Sequence, residues 1–323
     1  MLQRFRYGFI VVSALFALIV LDAFIADAVR GPWASLLGHG SIIPLCFSVL
    51  VVLGSKELLG LLRAVGLAPH AVIGTTFALL LLLSPWFCAG ELFGRGPFDV
   101  EGWRWQLIWL AVMVVMTALA QLRRGVGPTA FADVGATWLM VLYLGLLPSF
   151  VMMLRCWSDL PGAEGAFWVM AFLVVTKSSD IGAYVLGTLY GRHKLVPAVS
   201  PGKSVEGAIG GILTSVTASL VLYRLYFLVT GFVSPDSDLA HGLDMMTAGY
   251  RRLSLTQAIV FGVVMSISGQ LGDLFESVFK RAAVQKDSAS LLPGVGGSLD
   301  LIDSAVMAAP VAWFCLTVWW DVV

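Results

Sequence analysis

Charge is what this chain has least of. Only 12% of its 323 residues are Asp, Glu, Lys or Arg, and the two signs cancel to a formal net charge of zero. Ordinary soluble domains carry about 25% charged residues, so a water-soluble globule is excluded. With no net positive charge, and no basic tail or patch outside the connecting loops, nothing points to a nucleic-acid partner. The four cysteines (Cys46, Cys88, Cys156, Cys315) are scattered through apolar runs with no CxxC pair. They read as small buried hydrophobes, not as disulfides or metal ligands. The four histidines (His39, His70, His193, His241) form no HExxH or similar cluster. Low-complexity tracts, a soluble domain and a convincing internal repeat are also lacking.

What fills the chain is apolar sequence, 59% of all residues. A membrane-crossing helix needs about 20 such residues, and nine stretches qualify. The first runs from Gly8 to about Val29. The others are Ser41–Leu62, Ala71–Phe93, Arg104–Leu122, Ala132–Leu154, Ala166–Tyr190, Val205–Thr230, Thr256–Lys280 and Leu299–Trp320. The predicted fold is therefore all-α, a polytopic integral membrane bundle of about nine transmembrane helices. Arg4 and Arg6 precede the first run, and Ala26-Asp27-Ala28 loosely resembles a signal-peptide cleavage site. The length of that run, and the spans that follow it, favour an uncleaved anchor.

With the N-terminus inside, the inner segments hold twelve Lys and Arg residues and the outer segments six. That bias orients the bundle under the positive-inside rule. It puts the loops after the sixth and eighth spans in the cytoplasm of a cell whose inner membrane holds the protein. The long polar loop from Gly231 to Arg252 then lies outside and reads as free of chemistry. Residues 1–165 read as scaffold helices and residues 166–323 as a catalytic region carrying both cytoplasmic motif loops, within one membrane domain.

Most of the unusual charge lies between Ser268 and Ser304, SGQLGDLFESVFKRAAVQKDSASLLPGVGGSLDLIDS. If Leu271 to Arg281 is helical, Asp273, Glu276, Ser277 and Lys280 share one face. A second helix starting near Leu299 puts Asp300, Asp303 and Ser304 on one face as well. Between them, Pro293-Gly294-Val295-Gly296-Gly297 is a turn able to offer bare backbone N–H groups. Carboxylates beside bases and a glycine turn suit a divalent metal that carries phosphates.

A second unusual segment is Lys177 to Gly211. Lys177 and Asp180 sit three residues apart inside an apolar span, either as a buried structural pair or as the polar wall of a site. Further on, Pro201-Gly202 marks a turn and Ser204 is placed to cap the next helix, with Lys203 at its positive end. Gly202-Lys203-Ser204 matches the end of a nucleotide-binding P-loop, but Pro197 stands where that loop needs its first glycine, so the P-loop is rejected. Gly187, Gly191, Gly207 and Gly211 fit the small-xxx-small pattern of close helix packing. Lys56 and Glu57, in an early span, read as a structural pair, and Arg123-Arg124 as a topology signal.

Together these blocks, about the C-terminal 45% of the chain, resemble the phosphatidate cytidylyltransferases, also called CDP-diacylglycerol synthases. The resemblance rests on Ser277, Lys280, Arg281, Lys286, Asp287, Pro293, Gly296, Gly297, Asp300 and Asp303, in the family's spacing. It rests also on the Asp-x-Gly-Ala-Tyr span at Asp180 and the Ser-Pro-Gly-Lys-Ser loop at Ser200. Val295 stands where the family has histidine, Ser298 where it has an apolar residue, and Leu301 where it has arginine.

The resemblance implies transfer of CMP from CTP to phosphatidic acid, giving CDP-diacylglycerol and pyrophosphate. It implies Mg²⁺ bound by Asp273 and Asp300, with Asp303 as a further ligand or a partner of one. Lys203, Lys280, Arg281 and Lys286 would hold phosphates, with Ser204, Gly296 and Gly297 at the nucleotide. Asp287 would either orient Lys286 or add a ligand, and Lys177 and Asp180 would line the cavity. A homodimer is implied by analogy alone. The alternatives are a CTP-dependent lipid-alcohol kinase or related CDP-lipid synthase and, more remotely, a secondary transporter.

Overall fold

The computed structural model describes residues 16–26, 28–29, 39–89, 102–156, 162–230, 253–285 and 296–319. Lys286, Asp287, Pro293 and Val295 lie outside the described residues, as does the Gly231–Arg252 loop. The helices are α1 (Phe16–Ala26), α2 (Ile42–Ala64), α3 (Ala71–Ala89), α4 (Gly102–Arg124), α5 (Ala130–Val141) and α6 (Leu147–Arg155). They continue as α7 (Gly162–Tyr190), α8 (Val205–Thr230), α9 (Leu255–Ala282) and α10 (Ser298–Trp313). A π-turn at Leu142–Leu146 joins α5 to α6 as one span, and another extends α10 to Trp319.

Among the described residues, eight helices are long and apolar enough to cross a membrane. They coincide with eight of the nine expected spans. The described part of the ninth is α1, too short by itself to cross. This is a polytopic, almost wholly helical membrane protein.

The spans alternate in direction around α7, whose segment from Ala166 to Val175 is buried on nearly all sides. Trp168, Phe167 and Phe172 from this segment join Leu58 and Leu61 of α2, Met140 of α5 and Leu299 and Ile302 of α10 in one core. A helix apolar all round belongs in such a place. By contrast, α4 is peripheral, and its exposed Leu107, Val115 and Leu119 face acyl chains in a bilayer. Glycines allow the closest approaches. At Gly207 a Cβ would crowd the carbonyl of Ala183 and the Cα of Gly187, so α7 and α8 touch backbone to backbone, as the small-residue spacing predicts.

One departure from the sequence reading is a two-stranded antiparallel hairpin between α7 and α8, with β1 at Lys194–Val196 and β2 at Ser200–Ser204. The turn falls at residues 197–199, not at Pro201-Gly202, which lie in β2. A two-stranded ribbon is all edge and tolerates proline, and the pairing is irregular between Lys194 and Val196. Glu206 secures the chain leaving α7 by accepting from the backbone N–H groups of Arg192 (3.1 Å) and His193 (3.2 Å). Ser204 caps α8 as expected, its Oγ accepting from Gly207 N at 3.1 Å.

The opposite end of the bundle is fastened by charge. Asp22 of α1 and Arg155 of α6, both side chains fully buried, pair at 2.7 Å. Asp22 Oδ1 also accepts from Ile42 N (2.7 Å) and Ile43 N (3.2 Å), capping α2. Removing one partner of a buried pair strands the other's charge, at a cost of about 3–5 kcal/mol. Arg155→Ala is therefore expected to lose that much stability, read from unfolding in detergent micelles, and Asp22→Asn to be destabilised in the same direction.

Candidate metal and nucleotide site

The two acidic helices cross at Gly272, where a Cβ would collide with the carbonyl oxygen of Asp303. Glycine lets α9 and α10 meet there at backbone distance. As a result Asp273 and Glu276 of α9 face Asp303 of α10, and one carboxylate oxygen from each lies within 4.8 Å of the others. Glu276 is fully buried, Asp303 nearly so, and Asp273 partly open. Three convergent carboxylates of this kind are a hard oxygen donor set, the chemistry that Mg²⁺ and similar divalent ions take.

Lysines from three different elements hold these acids in place. Lys280 of α9 pairs with Glu276 at 2.9 Å and also with Asp300. Lys203 of β2 reaches Asp273 at 2.8 Å. Lys177 of α7 lies 3.1 Å from Asp180 and 3.8 Å from Asp303, and donates to Ser304 Oγ at 2.7 Å. Ser304 Oγ in turn donates to Asp180 at 3.1 Å. Among the described residues, five carboxylates thus meet three ammonium groups, and of the five only Glu276 and Asp303 are buried. Acids concentrated in this way are the kind of donor group a divalent cation complements.

The site residues expected from sequence fall into four groups. Asp273, Asp303, Lys177, Asp180, Lys203 and Lys280 are drawn into one network. Asp300 sits beside that network: it pairs with Lys280, and its Oδ2 accepts from Gly297 N at 2.7 Å. Gly296 adopts φ +96°, and a Cβ there would strike the Asp300 carboxylate. Arg281 lies outside the cluster. Its Nε donates to Val199 O at 3.2 Å, fastening the hairpin turn to the end of α9. Lys286 and Asp287 fall outside the described residues.

Two residues gain roles that sequence reasoning did not assign. Glu276 completes the carboxylate group in place of Asp300; its position on the acidic face of α9 was the available signal. Glu57, read as half of a structural pair with Lys56, accepts from Ser298 N (2.7 Å) and Leu299 N (3.0 Å) at the start of α10.

A cavity of about 490 Å³ leads from the carboxylates toward the hairpin. Asp180, Asp273 and Gln270 line it together with Ala183, Tyr184, Gly187 and Thr188 of α7 and Leu195, Ser200, Gly202 and Lys203 of the hairpin. It is large enough for a nucleotide-sized ligand. Its lining carries two carboxylates and one ammonium group.

The sequence model of the cytidylyltransferase family matches residues 3–319. The chain belongs to the cytidylyltransferase family. It is accordingly an enzyme, a nucleotidyltransferase. Among similar proteins, the phosphatidate cytidylyltransferase of Staphylococcus saprophyticus is 27% identical over 305 residues, 93% of this chain and 96% of that one. The phosphatidate cytidylyltransferase of Staphylococcus epidermidis is 28% identical over 301 residues, with the same coverage. An uncharacterized protein of Escherichia coli K12, YnbB, is 36% identical over 177 residues. That match covers 55% of this chain and only half of YnbB's length.

Lys280 is the cation on which the buried acids depend most. Lys280→Met should lower thermal stability in detergent, because Glu276 and Asp300 both lose the ammonium group they share. The double variant Lys280→Met/Glu276→Gln should recover much of the loss, a positive coupling that a double-mutant cycle measures directly.

Proposed function

We propose that this enzyme transfers CMP from CTP to phosphatidic acid, forming CDP-diacylglycerol and pyrophosphate. The observation that carries the reading is the three-carboxylate group Asp273, Glu276 and Asp303, of which Asp273 pairs with Lys203 and lines, with it, a nucleotide-sized cavity. The names of the full-length relatives from the two staphylococci support the same substrates.

This reaction asks little covalent help of a protein. The lipid phosphate is already an anionic nucleophile, and pyrophosphate is the leaving group. The barrier lies in bringing two polyanions together and holding them in line. Asp273, Glu276 and Asp303 would hold Mg²⁺, with Asp300 acting through Lys280 at the edge of the group. When bound, the ion supplies charge neutralisation to the phosphates. Lys203 would receive the CTP phosphates, since it lines the cavity and its ammonium stands beside Asp273. Arg281 would add positive charge at the hairpin turn, and Lys286 would be a further phosphate-holding group, with Asp287 either orienting it or adding a ligand. Lys177, between Asp180 and Asp303, would offset part of their negative charge toward the incoming lipid phosphate. Ser204, Gly296 and Gly297 act on the backbone: one starts α8 beside Lys203, and two shape the turn into α10.

The same reading puts the hairpin end of the bundle in the cytoplasm, where CTP is, and the bundle in the inner membrane. The lipid enters from the bilayer side, between helices, and the assembly is a homodimer. Asp273→Asn and Asp303→Asn should each cut CTP-dependent CDP-diacylglycerol formation by about a hundredfold or more, while the protein still inserts. Labelled CTP, candidate lipids and mass analysis of the product provide the assay. A phosphorylated lipid alcohol in place of a CDP-lipid would replace this reading with that of a kinase, and wild-type rates in both variants would remove the metal assignment.

A further inference from the structure

Helix α10 opens without a side-chain cap of its own. Its N-cap is Gly297, at φ −87° and ψ 179°, which has no side-chain oxygen to offer the first amides of the helix. Ser298 and Leu299 carry the first two of these amides. Both are taken by Glu57, one by each carboxylate oxygen, at 2.7 and 3.0 Å. Glu57 stands on α2, more than 240 residues earlier, is 8% exposed, and places a negative charge at the positive end of the α10 dipole. The packing beside it is close: a Cβ at Gly54, one turn earlier on α2, would reach Leu299 at 3.4 Å and Ser298 at 3.7 Å.

What this cap fixes is the first two turns of α10, and those turns carry Asp300 and Asp303. Asp300 follows Leu299 directly and meets Lys280, while Asp303 lies one turn further on and faces Asp273 and Glu276. A bidentate clamp on two successive amides sets both the height of the helix and its rotation about its own axis. Either error would move Asp303 relative to α9.

We propose that Glu57 is a positioning residue for the metal site, acting through the backbone of α10 to hold Asp300 and Asp303 in register with Asp273 and Glu276. The inference rests on the reading of that carboxylate group as a divalent-cation site. It also makes the N-terminal half of the chain part of the catalytic apparatus, beyond its role as scaffold.

The test measures metal binding and turnover separately, on purified full-length protein in nanodiscs. Mn²⁺ affinity is read by electron paramagnetic resonance without substrate, and kcat and the KM for CTP are read with phosphatidic acid at saturating and limiting Mg²⁺. Supporting groups around a metal site typically contribute 10- to 100-fold in affinity. Glu57→Ala should weaken Mn²⁺ by about tenfold or more and raise the Mg²⁺ needed for half-maximal rate. The KM for CTP at saturating Mg²⁺ should stay near wild type. Glu57→Gln keeps one acceptor and is expected between the two, which preserves the test should Glu57→Ala fail to fold. Asp22→Asn, at the opposite end, is the control for general damage: it should lower thermal stability and leave Mn²⁺ affinity unchanged.

If Glu57→Ala or Glu57→Gln folds and binds Mn²⁺ as wild type does, or if Asp22→Asn weakens Mn²⁺ equally, the positioning role is overturned while the proposed reaction stands. If the wild-type protein neither binds Mn²⁺ nor makes a CDP-lipid, the functional reading fails and takes this role with it.

Discussion

The architecture depends on a repulsion that has to be contained. Crossing α9 over α10 at Gly272 forces Asp273, Glu276 and Asp303 together inside a bundle with little water to screen them. Like charges this close are costly at low effective dielectric. Lysines delivered by α7, β2 and α9 itself offset most of the cost, each from a different direction. The outcome is a compact group of acids and ammonium groups at the junction of α7, α9, α10 and the hairpin.

Containment also explains why the site draws on the whole chain. Lys177 belongs to the central helix, whose apolar half packs against α2, α5 and α10 and so sets the depth at which the ammonium stands. Lys203 depends on a short hairpin that Arg281 ties down through Val199 and Glu206 ties down through Arg192 and His193. The Asp22–Arg155 pair holds α1, α2 and α6 together at the far end, well away from the chemistry. A charged group is used sparingly in this sequence, and Asp22, Arg155, Glu276 and Lys280 are each buried against a group of opposite charge.

Much of this was legible in the sequence, and the illegible part has a common physical cause. The eight spans follow from apolar length, because a bilayer sets a minimum that composition either meets or does not. Asp273 and Lys280 were legible from helical spacing, and Asp303 from the same argument on the next helix. Three other features were not. The hairpin went unseen because two strands of three and five residues carry no periodicity, and Pro201 argues against a strand unless both strands are edges. Asp300 looks equivalent to Asp303 on a helical wheel. What separates them is that Asp300 accepts from Gly297 N and pairs with Lys280. Glu57 was conspicuous as the lone acid of an apolar span, but its partners lie at the other end of the chain, and no local pattern names them. Local spacing reports which groups share a face; it says nothing about which faces meet.

The central claim is that α9 and α10 jointly build one divalent-cation site. The most direct measurement is a diffraction or cryo-electron microscopy map of the wild-type protein prepared with Mn²⁺, with anomalous scattering to identify the ion. The account predicts a peak enclosed by the carboxylates of Asp273, Glu276 and Asp303, at about 2.0–2.6 Å from their oxygens, with Lys203 displaced toward the cavity. A fully loaded protein whose ion lies elsewhere, with those three carboxylates turned away from one another, would contradict it.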